Sequence, residues 1–144
     1  MTRIEYLGNN ALRSSYNLEY FNGKNSEIGT LSLPHLKYNG LSKGGAFYCW
    51  KDGDVYRGPR IKRILDLGDC TEIGDETFFQ NTQLEYVASE VFEKLTKIGT
   101  SGFNACENLV IEDLKLPNIT EIGASAFLRT RVKTISELGP LCTI

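Results

Sequence analysis

One histidine, one methionine, one tryptophan and four prolines among 144 residues leave this chain short of the side chains that most catalytic and metal centres need. The lone His35 supplies at most one zinc ligand. The four cysteines, Cys49, Cys70, Cys106 and Cys142, stand 21, 36 and 36 residues apart and never as a C-x-x-C pair, so a zinc site is not expected. Such a chain does not require disulfides, and the thiols read as reduced and mostly buried. Neither charge sign is in excess: 16 basic against 18 acidic residues give a net charge of -2, which lends no support to a nucleic-acid or membrane-surface partner. No apolar run approaches the roughly 18 residues of a membrane span. Met1-Thr2-Arg3-Ile4-Glu5 lacks the apolar stretch of a signal peptide, so the chain as it stands reads as cytoplasmic.

Fourteen glycines are present, yet neither G-x-x-x-x-G-K-[ST] nor G-x-G-x-x-G occurs, which removes the common phosphate-binding loops. Asp66, Asp69, Glu72, Asp75 and Glu76 do not alternate as a calcium loop requires, and read as a solvated acidic edge. Cys49-Trp50 is similar to the Cys-Trp of papain-like enzymes, but the Gly-x-Cys that precedes it there is missing and Cys49 reads as a small buried hydrophobe. His35 falls in a variable slot between Leu33 and Leu36, where an exposed structural role is expected. Neither catalytic residues nor a cofactor are expected.

What the chain does have is self-similarity, which takes precedence over any local assignment. TEIGDETFFQNTQLEYV (71–87), TKIGTSGFNACENL (96–109) and TEIGASAFLRTRVKTI (120–135) share Ile-Gly, a small residue, Phe and a later apolar residue. IEYLGNNALRSSYNLEYF (4–21) fits the same frame, and a fifth copy over 31–50 carries insertions. The frame glycines Gly8, Gly40, Gly74, Gly99 and Gly123 are 32, 34, 25 and 24 residues apart, so the undisturbed period is about 24, within the range of leucine-rich-repeat coils.

Each position has a physical reason. Apolar residues three apart, such as Phe92, Leu95 and Ile98, recur on the inside of a tight coil. Glycine after Ile admits unusual backbone angles and a close neighbouring coil. Small Ala11, Ala46, Gly102 and Ala126 let a short turn approach the stack and bury Leu12, Phe47, Phe78, Phe103 and Phe127. Three residues later stand Ser15, Trp50, Asn81, Cys106 and Thr130; all but Trp50 are small or hydrogen-bonding, which suits buried backbone groups in need of partners.

The pattern I-G-x-x-A-F-x-x-C-x-x-L, carried by Ile98-Gly99-Gly102-Phe103-Cys106-Leu109 and by Ile122-Gly123-Ala126-Phe127, resembles the BspA-like leucine-rich repeats. Leu116-Pro117 and Leu33-Pro34 match the opening of such repeats. The expected fold class is α/β: a right-handed solenoid of about five coils, each a short strand followed by a helical or 3-10 turn, with a parallel sheet on one side. One domain is expected over 1–144, with irregular coils at 1–63, regular coils at 64–135 and a terminal segment at 136–144. The resemblance implies a binding scaffold without catalytic residues. It is borne mostly by bacterial and protozoan surface proteins that bind host or matrix proteins, and also by intracellular and phage-borne chains. Cell-surface or phage-borne placement therefore applies if the chain is a fragment.

Two features stand above this frame. The insertion at 46–60 places Asp52-Gly53 between β-favouring runs, which predicts a hairpin. It carries Tyr48, Trp50, Tyr56 and Arg57, residue types enriched at binding hot spots, although a local mini-core is the competing role. On the strand face, Glu19, Lys62, Glu85 and Lys133 are expected to form a charge ladder. Tyr20, Arg63, Tyr86 and Thr134 form the next column, in which Tyr-Arg-Tyr reads as a recognition stripe. The expected function is non-enzymatic binding of a protein partner, with a carbohydrate-binding or adhesin surface as the alternative. Apolar residues at both ends, Ile4, Leu7, Leu12, Leu138, Leu141 and Ile144, predict a homodimer through uncapped coils.

Overall fold

The computed structural model describes residues 3–15, 17–21 and 27–139, apart from the side chains of Lys51, Asp52 and Tyr56. The strands are short: β1 (Thr30–Ser32), β2 (Trp50–Asp52), β3 (Val55–Arg57), β4 (Arg63–Asp66), β5 (Glu72–Ile73) and β6 (Tyr86–Val87). Helix α1 (Ser89–Lys94) follows, then β7 (Lys97–Ile98), β8 (Val110–Ile111), β9 (Leu114–Leu116), β10 (Glu121–Ile122), β11 (Arg131–Val132) and β12 (Ile135–Leu138). The chain winds as a β-solenoid of about three turns, mostly sheet and with little helix.

Coil stacking is parallel throughout. β5, β7 and β10 pair side by side, and Leu41 bridges to Ile73, so Leu41, Ile73 and Ile98 form a fully buried column. A second row runs β1–β4–β6, and further rows pair β8 with β11 and β9 with β12.

Between the first two rows the chain turns over a phenylalanine spine. Phe47, Phe78, Phe103 and Phe127 stack with centroids 5.3, 5.2 and 5.5 Å apart and ring planes within 14° of parallel. Such pairs add about 0.5–1.5 kcal/mol each beyond burial.

The expected helical or 3-10 turn is present only as isolated single turns closed by bonds to the third residue back, with no continuous helix. Thr77, Phe79 and Asn81 donate within their own coil to residues three back, whereas Glu76, Phe78 and Gln80 donate to Thr100, Gly102 and Asn104 of the next coil. A helix needs every N–H for its own ladder, and here alternate N–H groups leave it. Glu76, Gln80, Ser101, Ala105, Ser125 and Arg129 also hold φ between 55° and 62°, a left-handed conformation that ends any right-handed helix.

The glycine after Ile has a different role from one expectation. Gly74, Gly99 and Gly123 are not in the left-handed region, so spacing rather than dihedral freedom selects them. A Cβ at Gly99 would stand 2.6 Å from Asp75 N and 2.8 Å from Gly74 C. In the second copy Gly40 falls too early to be the frame glycine: Leu41, and not the residue before Gly40, lies in the Ile73 row.

Candidate functional site

The insertion forms the expected hairpin. β2 and β3 are antiparallel with Trp50 opposite Arg57 and Asp52 opposite Val55, so the two-residue turn is Gly53-Asp54, one position later than predicted, with Gly53 at φ 62°. At its base Gly58 and Pro59 are buried, with Gly58 packed against Cys49. Trp50 is 41% exposed and lies beside the partly buried Arg57. The Tyr56 side chain lies outside the described residues.

Tyr48 belongs to the solenoid flank. Its ring stacks on Phe79 at 4.9 Å, and the Arg13 guanidinium lies 3.9 Å from its other face. Both faces are occupied, which separates Tyr48 from the Trp50–Arg57 pair.

On the strand face Arg63 opposes Tyr86, as the stripe requires, but the residue on the other side of Arg63 is Thr30 and not Tyr20. The physical reason is a loop: Gly29 N donates to Glu19 O, and the strand resumes only at Thr30. Tyr20 instead lines an apolar recess of about 180 Å³ with Leu12, Phe21 and Phe47. Arg63 turns toward β1, donating to Thr30 Oγ1 at 3.1 Å and pairing with Glu27 at 2.7 Å. Tyr86 is 49% exposed. Thr134 is outside this row, because β11 presents Arg131 to Val110.

The expected charge ladder also divides. Glu19 pairs with Arg60 at 2.7 Å and Lys133 with Glu112 at 3.0 Å. Alternating charge occurs one face away, where Lys97 stands 3.7 Å from Glu72 and 3.9 Å from Glu121.

Next to Tyr86 is a feature that the repeat frame missed. A groove of about 570 Å³ separates β6 from β8, lined by Tyr86, Val87, Ser89, Phe92, Glu93, Val110, Ile111, Glu112, Asp113 and Lys115. Helix α1 packs on β9 and stands where a regular coil would carry a strand. Asn108 Nδ2 donates to Thr82 O, and Asn118 Nδ2 to Glu93 O, each at 2.7 Å, spanning the same coil boundary by side chain. The pattern Ser-Glu-Val-Phe-Glu-Lys at 89–94 was the available signal, since it favours helix over strand.

The thiols are structural. Cys70 and Cys106 are buried, and desolvation raises both pKa values. Cys49 donates to Phe47 O at 3.4 Å and Cys106 to Phe78 O at 3.1 Å; Cys142 lies outside the described residues. His35 is exposed. Among the described residues no group of three or more His, Cys, Asp or Glu is placed to hold a metal ion, and no helix is long and apolar enough to cross a membrane.

No curated protein and no solved structure matches the chain. The family model described as BspA type leucine rich repeat region (6 copies) matches residues 60–140, more than half of the chain. That span holds Phe78, Phe103 and Phe127 of the phenylalanine spine and the whole β5–β7–β10 row, and the family is a non-enzymatic repeat family. The chain therefore belongs to the BspA-type leucine-rich repeat family.

Proposed function

We propose that this chain is a non-enzymatic recognition module for a partner protein, with the β2–β3 hairpin and the strand face around Arg63 and Tyr86 as its contact surface. The observation that carries this reading is the hairpin's independence. Among the described residues β2 pairs only with β3, so neither strand belongs to a coil ladder, and their register sets Trp50 opposite Arg57. Trp and Arg in such a setting are the residue types that concentrate binding energy. Tyr48 supports this surface through its stack on Phe79, Tyr20 contributes from the N-terminal recess, and Tyr56 is assigned to it by its place in the hairpin sequence alone.

Replacing Lys51–Arg57 by a short Gly-Ser link, with the buried Gly58 kept, should leave the thermal melt nearly intact and abolish capture of a stoichiometric protein partner. Trp50→Ala alone should weaken that partner by about thirtyfold, a hot-spot loss of roughly 2 kcal/mol. A folded replacement that still captures the partner at full strength would sink the hairpin assignment. The exposure of Trp50 also favours sugar stacking as the second reading, which binding on a glycan array would support in place of a protein partner. Leu128, Ile135 and Leu138 are 52%, 54% and 38% exposed, and through them self-association of two copies is a further element of this proposal; sedimentation velocity at micromolar concentration tests it. Leu141 and Ile144 lie outside the described residues.

A further inference from the structure

The sheet that carries Arg63 and Tyr86 stops at β6, and strand pairing resumes at β8. Among the described residues no backbone hydrogen bond joins 85–88 to 109–113. Both rims are nevertheless strands, and in a parallel ladder successive residues turn their N–H and C=O to opposite sides. Tyr86 and Ala88 donate to Lys62 O and Ile64 O, so the N–H and C=O of Val87 point away from β4 and into the gap. On the other rim Leu109 and Ile111 accept from Arg131 and Lys133, which leaves the N–H and C=O of Val110 facing the gap. Two unpaired edges on either side of one groove are a template for a strand.

The chemistry of the missing strand is visible in the strands already docked behind each rim. β4 places Arg63 opposite Tyr86 and Ile64 opposite Val87. β11 places Arg131 opposite Val110 and Val132 opposite Ile111. Both read as Arg followed by a β-branched aliphatic in the same register. The groove lining adds charge complementarity, since it holds Glu93, Glu112 and Asp113 against one Lys115, with Asp113 also accepting from the Ser136 hydroxyl at 2.8 Å.

We infer that the groove binds an extended segment of a partner protein in which Arg or Lys precedes Ile or Val, inserted parallel between β6 and β8 as the missing strand. This rests on the recognition reading above and names its binding mode. The inserted strand would lie about 4.8 Å from each rim, main-chain bonds supplying affinity and alternate side chains specificity. The aliphatic side chain sits between Val87 and Ile111 near Phe92. The basic one meets the Tyr86 ring and Glu112, whose present partner Lys133 is an exposed ion pair of the kind that exchanges at little cost.

The probe is a pool of fluorescent acetyl-hexapeptides with Arg or Lys at the second and fourth positions and Ile or Val at the third and fifth. Anisotropy should show saturable binding to the intact chain, and amide exchange should slow at Val87 and Val110. Methylating either alternate set of peptide amides should weaken binding about tenfold or more, since each set serves one rim. Val110→Pro, which removes a rim N–H that the β8–β11 ladder does not use, should do the same; the methylated peptides keep the test open if that variant misfolds. Methylated peptides that bind as tightly as their parents, protection that appears elsewhere, or no binding at millimolar peptide would each overturn the groove assignment. The hairpin replacement tests the recognition reading independently, so partner capture lost with the hairpin but no peptide binding would reject the groove alone.

Discussion

Asn81, fully buried, donates from Nδ2 to the carbonyl of Phe47 in the preceding coil at 2.8 Å. One coil later Cys106 makes the equivalent contact, from Sγ to Phe78 O at 3.1 Å. Removing the amide leaves the buried Phe47 carbonyl with only the longer, weaker Cys49 thiol contact, a loss of about 1–3 kcal/mol. Asn81→Ala should therefore lower the urea midpoint clearly, and Asn81→Cys, which restores a weaker donor of the type used next door, should recover part of it. Equal midpoints for the two variants would refute the ladder role.

Phe103 stacks between Phe78 and Phe127 and is also touched by Phe92. Phe103→Ala opens a cavity in the middle of the spine and should cost about 3–5 kcal/mol. A melting temperature unchanged within a degree or two would contradict this packing.

Glu76 is exposed and left-handed, with φ 55°. A side chain costs roughly 1–2 kcal/mol in that conformation, whereas glycine adopts it freely at the expense of unfolded-state entropy. Glu76→Gly should thus be neutral or mildly stabilising, while Glu85→Gly, at an exposed position outside that region, should lose roughly 0.5–1 kcal/mol. Chemical denaturation of the pair checks the difference; equal losses would argue against the left-handed turn.

Burial raises the thiol pKa of both Cys70 and Cys106 above the usual range. The unfolded chain releases the same protons near pH 8.5. Their contribution to stability is fully present below that pH, and it is lost as pH rises, because the folded state then binds more protons than the unfolded one. Urea midpoints should be insensitive to these groups near pH 7 and fall above about pH 8.5, with a slope of at most about 1.4 kcal/mol per pH unit for each thiol. Relative to wild type, Cys106→Ala should flatten that alkaline slope; an unaltered slope would show that its thiol does not contribute.

The repeating residues made the solenoid legible. Ile73, Ile98, Phe78 and Phe103 recur at the period and are all fully buried, because a stack repeats its interior whenever it repeats its length. The turn is only partly legible, because residue spacing reports which side chains face inward and says little about where alternate N–H groups go. The Asp-Gly signal found the hairpin, but Tyr20 was assigned to a row that Thr30 occupies, since the loop between Glu19 and Gly29 has no counterpart in the regular coils. The groove was illegible for a related reason: α1 breaks the pairing pattern locally, and a search for what recurs passes over what occurs once.

The β5–β7–β10 row crosses the same coil boundary that the groove leaves open on the other side. One side of that boundary is stitched by backbone bonds such as Gly99 N to Ile73 O at 2.7 Å, and the other is fastened by the Asn108 and Asn118 amides. The protein is thus built like a book, with the backbone row as its spine and two clasps on the opening edge. Parting the covers strains those two side-chain bonds and lifts α1 off β9 without breaking a strand ladder, whereas bending toward the spine must compress a closed one, so the two directions of bending meet different kinds of resistance.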